Sequence, residues 1–494
     1  MTNIKALTLL HSNDLHGDFL AEKIDRKLLG GVSMLSGYIN SVRESSDSVL
    51  YAIAGDMLRG SVIDSEFKGI STIEIMNLIG PDVVCLGNHE LDYGMAHLVF
   101  LEKCAKFPIV NANLYIKSNR NRLFQPYKTI KINGMKVLFI GVLTQEIMDY
   151  AKQDELLGTF IDVEDAAAEV GNICNNYRTL DIDLTVLLTH IGFEQDKALA
   201  ALLDPRWGID LLIGGHSHTV LSEPCVVNGI PIVQAGTGTD MIGRFDIKID
   251  TDNNRIDSYT WETVPIDEAH CQPDESLIGV IEKYKEVTDL KFGRLLSRFT
   301  KKLTHPVRYR ETELGNLFAE ILRENLGLDI MLLGSGSIRA DSMGPIVRFG
   351  DLKEGFPYDD WVYCLYPNGA QLKRMVTYIL RDEAFRNETE FYQFSRGFSV
   401  VYDYAQKKIE SLSLNGEPID DAKIYTVGLQ RYHVNSFDKF LGLPLAEVES
   451  NRKSNIVSTS CFAILDEYLS VHGKLSAKVE GRIVVKGLEQ PARA

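Results

Sequence analysis

The sequence contains no apolar run of the roughly 18 residues that a membrane-spanning helix needs. Ahead of His11 only the short segment Ala6 to Leu10 is largely apolar, less than the roughly 7–15 residues of a signal-peptide core. Neither a spanning segment nor a secretion signal is expected, no membrane partner follows, and the expected location is cytoplasmic. The seven cysteines form no Cys-x-x-Cys pair, which excludes a thiolate metal knuckle and a dithiol redox motif. An odd number without spacing fits reduced thiols. Positive charge is also short: 52 Lys and Arg face 68 Asp and Glu, a net charge of −16. A surface that acidic repels phosphate backbones, so no nucleic acid polymer is expected as a partner. An anionic small molecule would need local positive charge from metal ions or placed arginines. Internal repeats and low-complexity tracts are absent as well.

What is present is enough for more than one core. A chain of 494 residues exceeds a single hydrophobic domain. Residues 1–240 alternate short β-type runs with helix-period segments, an α/β pattern. The runs predict strands at Ala6–Leu10, Val49–Ala54, Val83–Leu86, Val137–Val142, Leu184–Thr189, Leu211–Ile213 and Ile230–Gln234. Val32, Leu35, Ile39 and Val42 share one helical face. Two β-type runs flank Asn253-Asn254 and predict a closing hairpin. The reading divides the chain into a domain over 1–263, a linker with a polar helix over 264–292, and a second α/β domain over 293–494.

Ligand-type residues fall just after the predicted strands. The first runs into His11-Ser-Asn-Asp14-Leu-His16-Gly, the second into Gly55-Asp56, and the third into Gly87-Asn88-His89-Glu90-Leu91-Asp92. Two later strands run into Thr189-His190 and into Gly214-Gly215-His216-Ser217-His218. In a parallel-rich sheet these ends share one edge, where such folds place ligands. Oxygen and imidazole donors without thiolate suit Mn, Zn, Fe or Co. Seven such residues, Asp14, His16, Asp56, Asn88, His190, His216 and His218, are too many for one four-coordinate ion. They fit two divalent ions that share a carboxylate, the usual device for in-line displacement at phosphorus. His11 also ends the first strand and reads as a histidine that either supports the ligands from behind or packs the core.

These motifs, in this order, resemble those of the calcineurin-like metallophosphoesterases, and the two-domain layout resembles the 5′-nucleotidase family over nearly the whole chain. The resemblance implies a four-layer α/β/β/α sandwich followed by a second α/β substrate-binding domain. It implies one ion on Asp14, His16, Asp56 and His218, and a second on Asp56, Asn88, His190 and His216. His89 with Asp92 is similar to the family's catalytic dyad, with His89 outside the metal shell.

In the second domain, the predicted strand Ile330–Leu333 leads into Gly334-Ser-Gly-Ser-Ile-Arg339. A Gly/Ser turn that presents an arginine can bind phosphate through backbone N–H groups and a bidentate guanidinium. The resemblance implies that Arg308 and Arg339 grip a substrate phosphate. It implies a base clamp with Tyr358 as one ring, Asp360 beside the base, and Tyr432 or Phe437 as the second ring. The family's usual Gly-Gly-Asp-Gly-Tyr run is replaced here by Arg431-Tyr432-His433-Val-Asn435-Ser-Phe437-Asp438. The expected activity is hydrolysis of a nucleotide phosphate ester, of the 5′-nucleotidase or 2′,3′-cyclic nucleotide phosphodiesterase type. The alternatives are hydrolysis of a nucleotide sugar or a non-nucleotide ester, and a non-catalytic nucleotide sensor.

Overall fold

A computed structural model of the protein describes residues 3–24, 27–116, 118–119, 121–143, 163–177 and 179–488. It divides into two compact units, Met1–Thr288 and Asp289–Ala494.

Two six-stranded sheets build the first unit. In one, Ile4–Ser12 lies antiparallel to Met241–Asp250 on one side and parallel to Val49–Ala54 on the other, followed by Val83–Cys85 and Ile109–Val110. In the other, Met135–Leu143, Leu184–His190, Leu211–Ile213 and Ile230–Val233 run parallel. Strand periodicity of two assigns the faces. Leu7, Leu9, Ala52, Ala54, Val83 and Cys85 pack against Val137, Phe139, Val186, Leu188 and Ile213 of the second sheet. The outward residues Leu10, Tyr51, Ile53 and Val84 share a core with the helices Val32–Ser45, Ile70–Ile79 and Met95–Cys104. Leu138, Ile140, Leu187 and Leu212 do the same with Val163–Tyr177 and Phe193–Leu202. The order is helix, sheet, sheet, helix. Because both faces of each sheet are covered, central strands such as Val49–Ala54 are buried throughout, which explains their continuous apolar sequence. The hairpin around Asn253-Asn254 is formed by Met241–Asp250 and Arg255–Pro265.

The polar helix read from the sequence spans Glu275–Phe292. Its Leu277 and Ile281 are buried in the same core as Leu35 and Ile39, so it is docked on the first unit along that face. In the second unit a five-stranded sheet runs Tyr392–Phe394, Ile330–Gly334, Val427–Gln430, Val362–Leu365, Asn455–Ser458. The helix Glu313–Leu326 packs on it, its start set by Thr312, whose hydroxyl accepts the Gly315 amide at 3.1 Å. All seven cysteines are free thiols. Among the described residues no helix is long and apolar enough to cross a membrane.

Candidate active site

The strand ends of the first unit converge as the sequence predicts, and the backbone there is strained. Asp14, His16, Asp56, His216 and His218 all have φ between 51° and 79°, a left-handed conformation rare for residues with a Cβ. Such strain persists only where the surroundings over-determine it, and it concentrates at functional sites. The glycines explain how the loops come so close. A Cβ on Gly87 would stand 2.2 Å from Asp56 Oδ1, and one on Gly55 would stand 2.4 Å from His190 Nδ1.

Three overlapping groups place ligand atoms within 4.8 Å of one another: Asp14 with His16 and His218, Asp56 with His190 and His216, and His16 with Asp56 and His89. His218 Nε2 is 3.3 Å from Asp14 Oδ1 and 3.1 Å from His16 Nε2. His190 Nε2 is 3.0 Å from Asp56 Oδ2. Asn88 Oδ1 lies 3.2 Å from His190 Nε2 and 2.8 Å from His216 Nδ1. All seven ligand-type residues therefore meet. Several rings are oriented from behind. His190 Nδ1 faces the Ala54 carbonyl at 2.8 Å and His16 Nδ1 the Arg59 carbonyl at 2.9 Å. A ring that donates from one nitrogen presents the lone pair of the other inward. Burial disfavours charge on His190, but the nearby Asp56 and Asp14 outweigh it and raise its pKa. Burial likewise opposes ionisation of Asp56, yet the His190 charge holds its carboxyl low. Two buried carboxylates ringed by oriented imidazoles are a donor set that fits divalent cations.

His89 and Asp92 form the expected pair, with Nδ1 2.8 Å from Asp92 Oδ2. That hydrogen bond raises the His89 pKa against the opposing effect of burial, with Asp56 and Asp92 adding to it. The His89 amide donates to Asp56 Oδ1 at 2.8 Å. His11 is wholly buried, accepts from Trp261 Nε1 at 3.1 Å, and is pushed by burial down to about 3. Its burial and its contact with Trp261 fit the packing alternative.

Sequence reasoning gave no role to three residues that organise this edge. Glu90 accepts the amides of Gly87 (2.6 Å) and Asp56 (3.1 Å) on one oxygen, and those of Met57 (2.7 Å) and Leu58 (3.2 Å) on the other. It ties two strand-end loops into one body. Asn13 links Asp14 to the loop at Ala235 and Gly236. Asp196 accepts from Thr189 Oγ1 at 2.6 Å and Gln234 Nε2 at 2.9 Å. Burial pushes it up to about 7. The only sequence signal was adjacency, Glu90 and Asn13 sitting inside the motifs.

In the second unit the named residues gather at one edge of the five-stranded sheet. Arg339 follows Ile330–Gly334, and Tyr432 follows the parallel neighbour Val427–Gln430. Tyr358 and Asp360 precede Val362–Leu365, which is antiparallel to that neighbour. The Arg339 guanidinium lies 5.0 Å from the Tyr358 ring centre and donates to its hydroxyl. Arg308 is half-buried, and its charge reaches Glu390 and His305 beside the Gly/Ser turn.

The structure corrects one expectation here and adds detail to two others. Phe437 is 2% exposed, in a core with Phe440 and Leu441; it has no face for a base, whereas Tyr432 is 64% exposed. The Asp360 carboxylate is engaged by the amides of Trp361 (2.9 Å) and Tyr432 (2.8 Å) and by Arg431 Nε at 3.3 Å. It fixes where Tyr432 stands. Four amides of the Gly/Ser turn are already engaged. Ser335 N donates to the Phe391 carbonyl, Gly336 N to Glu390 Oε1, Ile338 N to the Ser335 carbonyl and Arg339 N to the Gly355 carbonyl.

Comparison with known proteins agrees with this architecture. The calcineurin-like phosphoesterase model matches residues 7–220, and the 5′-nucleotidase C-terminal domain model matches residues 293–443. The chain is 26% identical to a mouse 5′-nucleotidase over 535 residues, covering 97% of this chain and 90% of the relative. Two solved structures share the fold. The 5′-nucleotidase precursor of Thermus thermophilus has 23% identity and a TM-score of 0.61, covering 98% of this chain and 100% of that one. The NAD nucleotidase of Haemophilus influenzae has 18% identity and a TM-score of 0.58, with the same coverage. With a calcineurin-like phosphoesterase model and a 5′-nucleotidase C-terminal domain model matched in order, and every metallophosphoesterase motif at one edge of the first unit, the chain carries both domains found in 5′-nucleotidases and is a phosphoric ester hydrolase.

Proposed function

We propose that the protein hydrolyses nucleotide monophosphates or 2′,3′-cyclic nucleotides with two divalent ions. Asp14, His16, Asp56 and His218 would hold one, and Asp56, Asn88, His190 and His216 the other. The observation that carries this reading is the buried Asp56 carboxylate, which belongs to two of the three ligand groups. Ions there would supply Lewis-acid charge that acidifies the attacking water and neutralises phosphoryl oxygens. A water oxygen attacks phosphorus, the ester P–O bond breaks, and the leaving oxygen takes a proton. His89 carries out the last part. Asp92 holds its Nδ1–H, so Nε2 is the nitrogen that donates to the phosphoryl or leaving oxygen. Arg308 and Arg339 bind the phosphate, and Tyr358 and Tyr432 take the faces of the base.

The test is a substrate panel with added Mn²⁺: nucleoside monophosphates, cyclic nucleotides, nucleotide sugars and an aryl phosphate. Nucleotide esters should be cleaved best, chelation should abolish turnover, and a first-row divalent ion should restore it. Full activity in demetallated protein, or a preference for non-nucleotide esters, would refute the proposal.

A further inference from the structure

Arg59 lies between Asp56 and Gly60 in the loop after Val49–Ala54, and none of the motifs includes it. Its backbone has φ 69°, strained for a residue with a side chain. Backbone and side-chain contacts hold it there, among them a side-chain hydrogen bond with Tyr93. Its amide donates to Asp64 Oδ2 at 2.8 Å. Asp64 is itself buried and held by the hydroxyls of Thr72 and Tyr93. The Arg59 carbonyl faces His16 Nδ1 at 2.9 Å. Its guanidinium Nε is 3.3 Å from Asp92 Oδ2, the oxygen that faces His89 Nδ1 at 2.8 Å. The following residue must be small, since a Cβ on Gly60 would stand 2.3 Å from the His16 carbonyl oxygen.

We propose that Arg59 is a positioning residue for the reaction: its guanidinium fixes the Asp92 carboxylate, and through it the ring of His89. An aspartate with one partner can rotate about its χ angles. A second donor on the same oxygen removes that freedom, so His89 meets the substrate in one orientation. The His89 side chain is 36% exposed and that of Arg59 51%. Neither is locked by burial, so the ion pair adds the orientation that the edge-on contact of the His89 ring with His16 leaves incomplete. The cost of losing such an outer partner is about 10- to 100-fold in activity.

This inference rests on the role given to His89 above, and the experiment separates the two. Arg59→Asn is the test variant, because asparagine tolerates the left-handed backbone and keeps the carbonyl toward His16. Arg59→Lys keeps the charge. In the metal-loaded enzyme with a nucleoside monophosphate, R59N should lower kcat about 10-fold or more, with KM and metal content unchanged. R59K should recover part of the loss. In an Asp92→Ala background R59N should add nothing, since its effect runs through Asp92. A readout independent of turnover is the Nδ1–H signal of His89 in isotope-labelled histidine spectra, identified by its loss in His89→Ala. It should broaden in R59N and return in R59K. An R59N effect that multiplies with D92A would overturn the inference. So would one that raises KM alone, strips the metal, or leaves kcat unchanged. If His89→Ala leaves kcat unchanged, the role of His89 fails, whatever Arg59 does.

Discussion

The two functional edges of this protein are built differently. In the first unit the carboxylates and the central imidazole are buried, with Asp14, Asp56 and His190 at 0–1% exposure. Each loop around them is held by further buried groups such as Glu90 and Asn13. In the second unit the named groups stand in the open: Tyr358 and Tyr432 are 47% and 64% exposed, and Arg339 is exposed with its guanidinium against Tyr358. The first design suits charge stabilisation, which needs fixed dipoles that do not reorganise. The second suits selection, where exposed rings can be exchanged without disturbing a core. Damage to the first edge should therefore abolish chemistry whatever the substrate, and damage to the second should change preference.

The largest effect is expected at Asp56. Asp56→Asn keeps the shape but removes the charge shared by two ligand groups. It should lower kcat/KM by more than about 1,000-fold, above the usual cost of one transition-state donor. His16→Ala, which leaves the Asp56, His190 and His216 group intact, should cost less. Metal content measured beside the kinetics checks the reason, and equal losses in both variants would remove the distinction.

His89 comes next. His89→Ala should reduce kcat by about 100- to 10,000-fold, the range for a positioned proton donor. The structure makes this a sharp test, because His89 also falls within ligand distance of His16 and Asp56. Metal content should stay at the wild-type level. Loss of metal together with activity would move His89 into the ligand set.

Much of the first edge was legible in the sequence because its signals are local. A β-type run followed by Gly-Asp or Gly-Asn-His fixes both the strand end and the ligand. The hairpin at Asn253-Asn254 and the helix Glu275–Phe292 were legible for the same reason. Glu90 and Arg59 were not. The Glu90 carboxylate serves amides more than 30 positions away, and Arg59 acquires its role from a left-handed backbone that no residue type announces. The partners of Asp360 were not legible, because they arise from the register that sets Val362 opposite Gln430. Phe437 is instructive in the other direction. Phe437, Phe440 and Leu441 stand at i, i+3 and i+4, the spacing of a buried helical face, and that pattern did announce a core position.

At the second edge, Arg339→Ala would remove the charge-assisted contact to the phosphate that the proposed function assigns to it. Such bonds contribute about 1.5–3 kcal/mol, so KM for a nucleotide should rise by about 10-fold or more with metal content unchanged. A fall in kcat at constant KM would instead assign Arg339 to the transition state.

The smallest effect on catalysis is expected at Tyr432, and it separates the two rings left open by the sequence. A stacking partner contributes about 0.5–1.5 kcal/mol beyond burial, so Tyr432→Ala should raise KM for nucleotides by about 2- to 12-fold. An aryl phosphate has no base to fill the clamp and should be affected less. Thermal stability should hardly change, because the ring is mostly in solvent and its place is set by the backbone bond to Asp360. Phe437→Ala should do the reverse. Truncating a buried phenylalanine costs about 3–5 kcal/mol of folding stability, while the folded fraction should keep its nucleotide preference. Asp360→Ala then tests how the ring is held. It leaves Tyr432 in place chemically but frees the helix Arg431–Val434 that carries it, so the nucleotide preference should fall toward that of Tyr432→Ala. If Asp360→Ala shifts preference and Tyr432→Ala does not, the carboxylate itself contacts the base, and the positioning role argued from its hydrogen bonds is wrong.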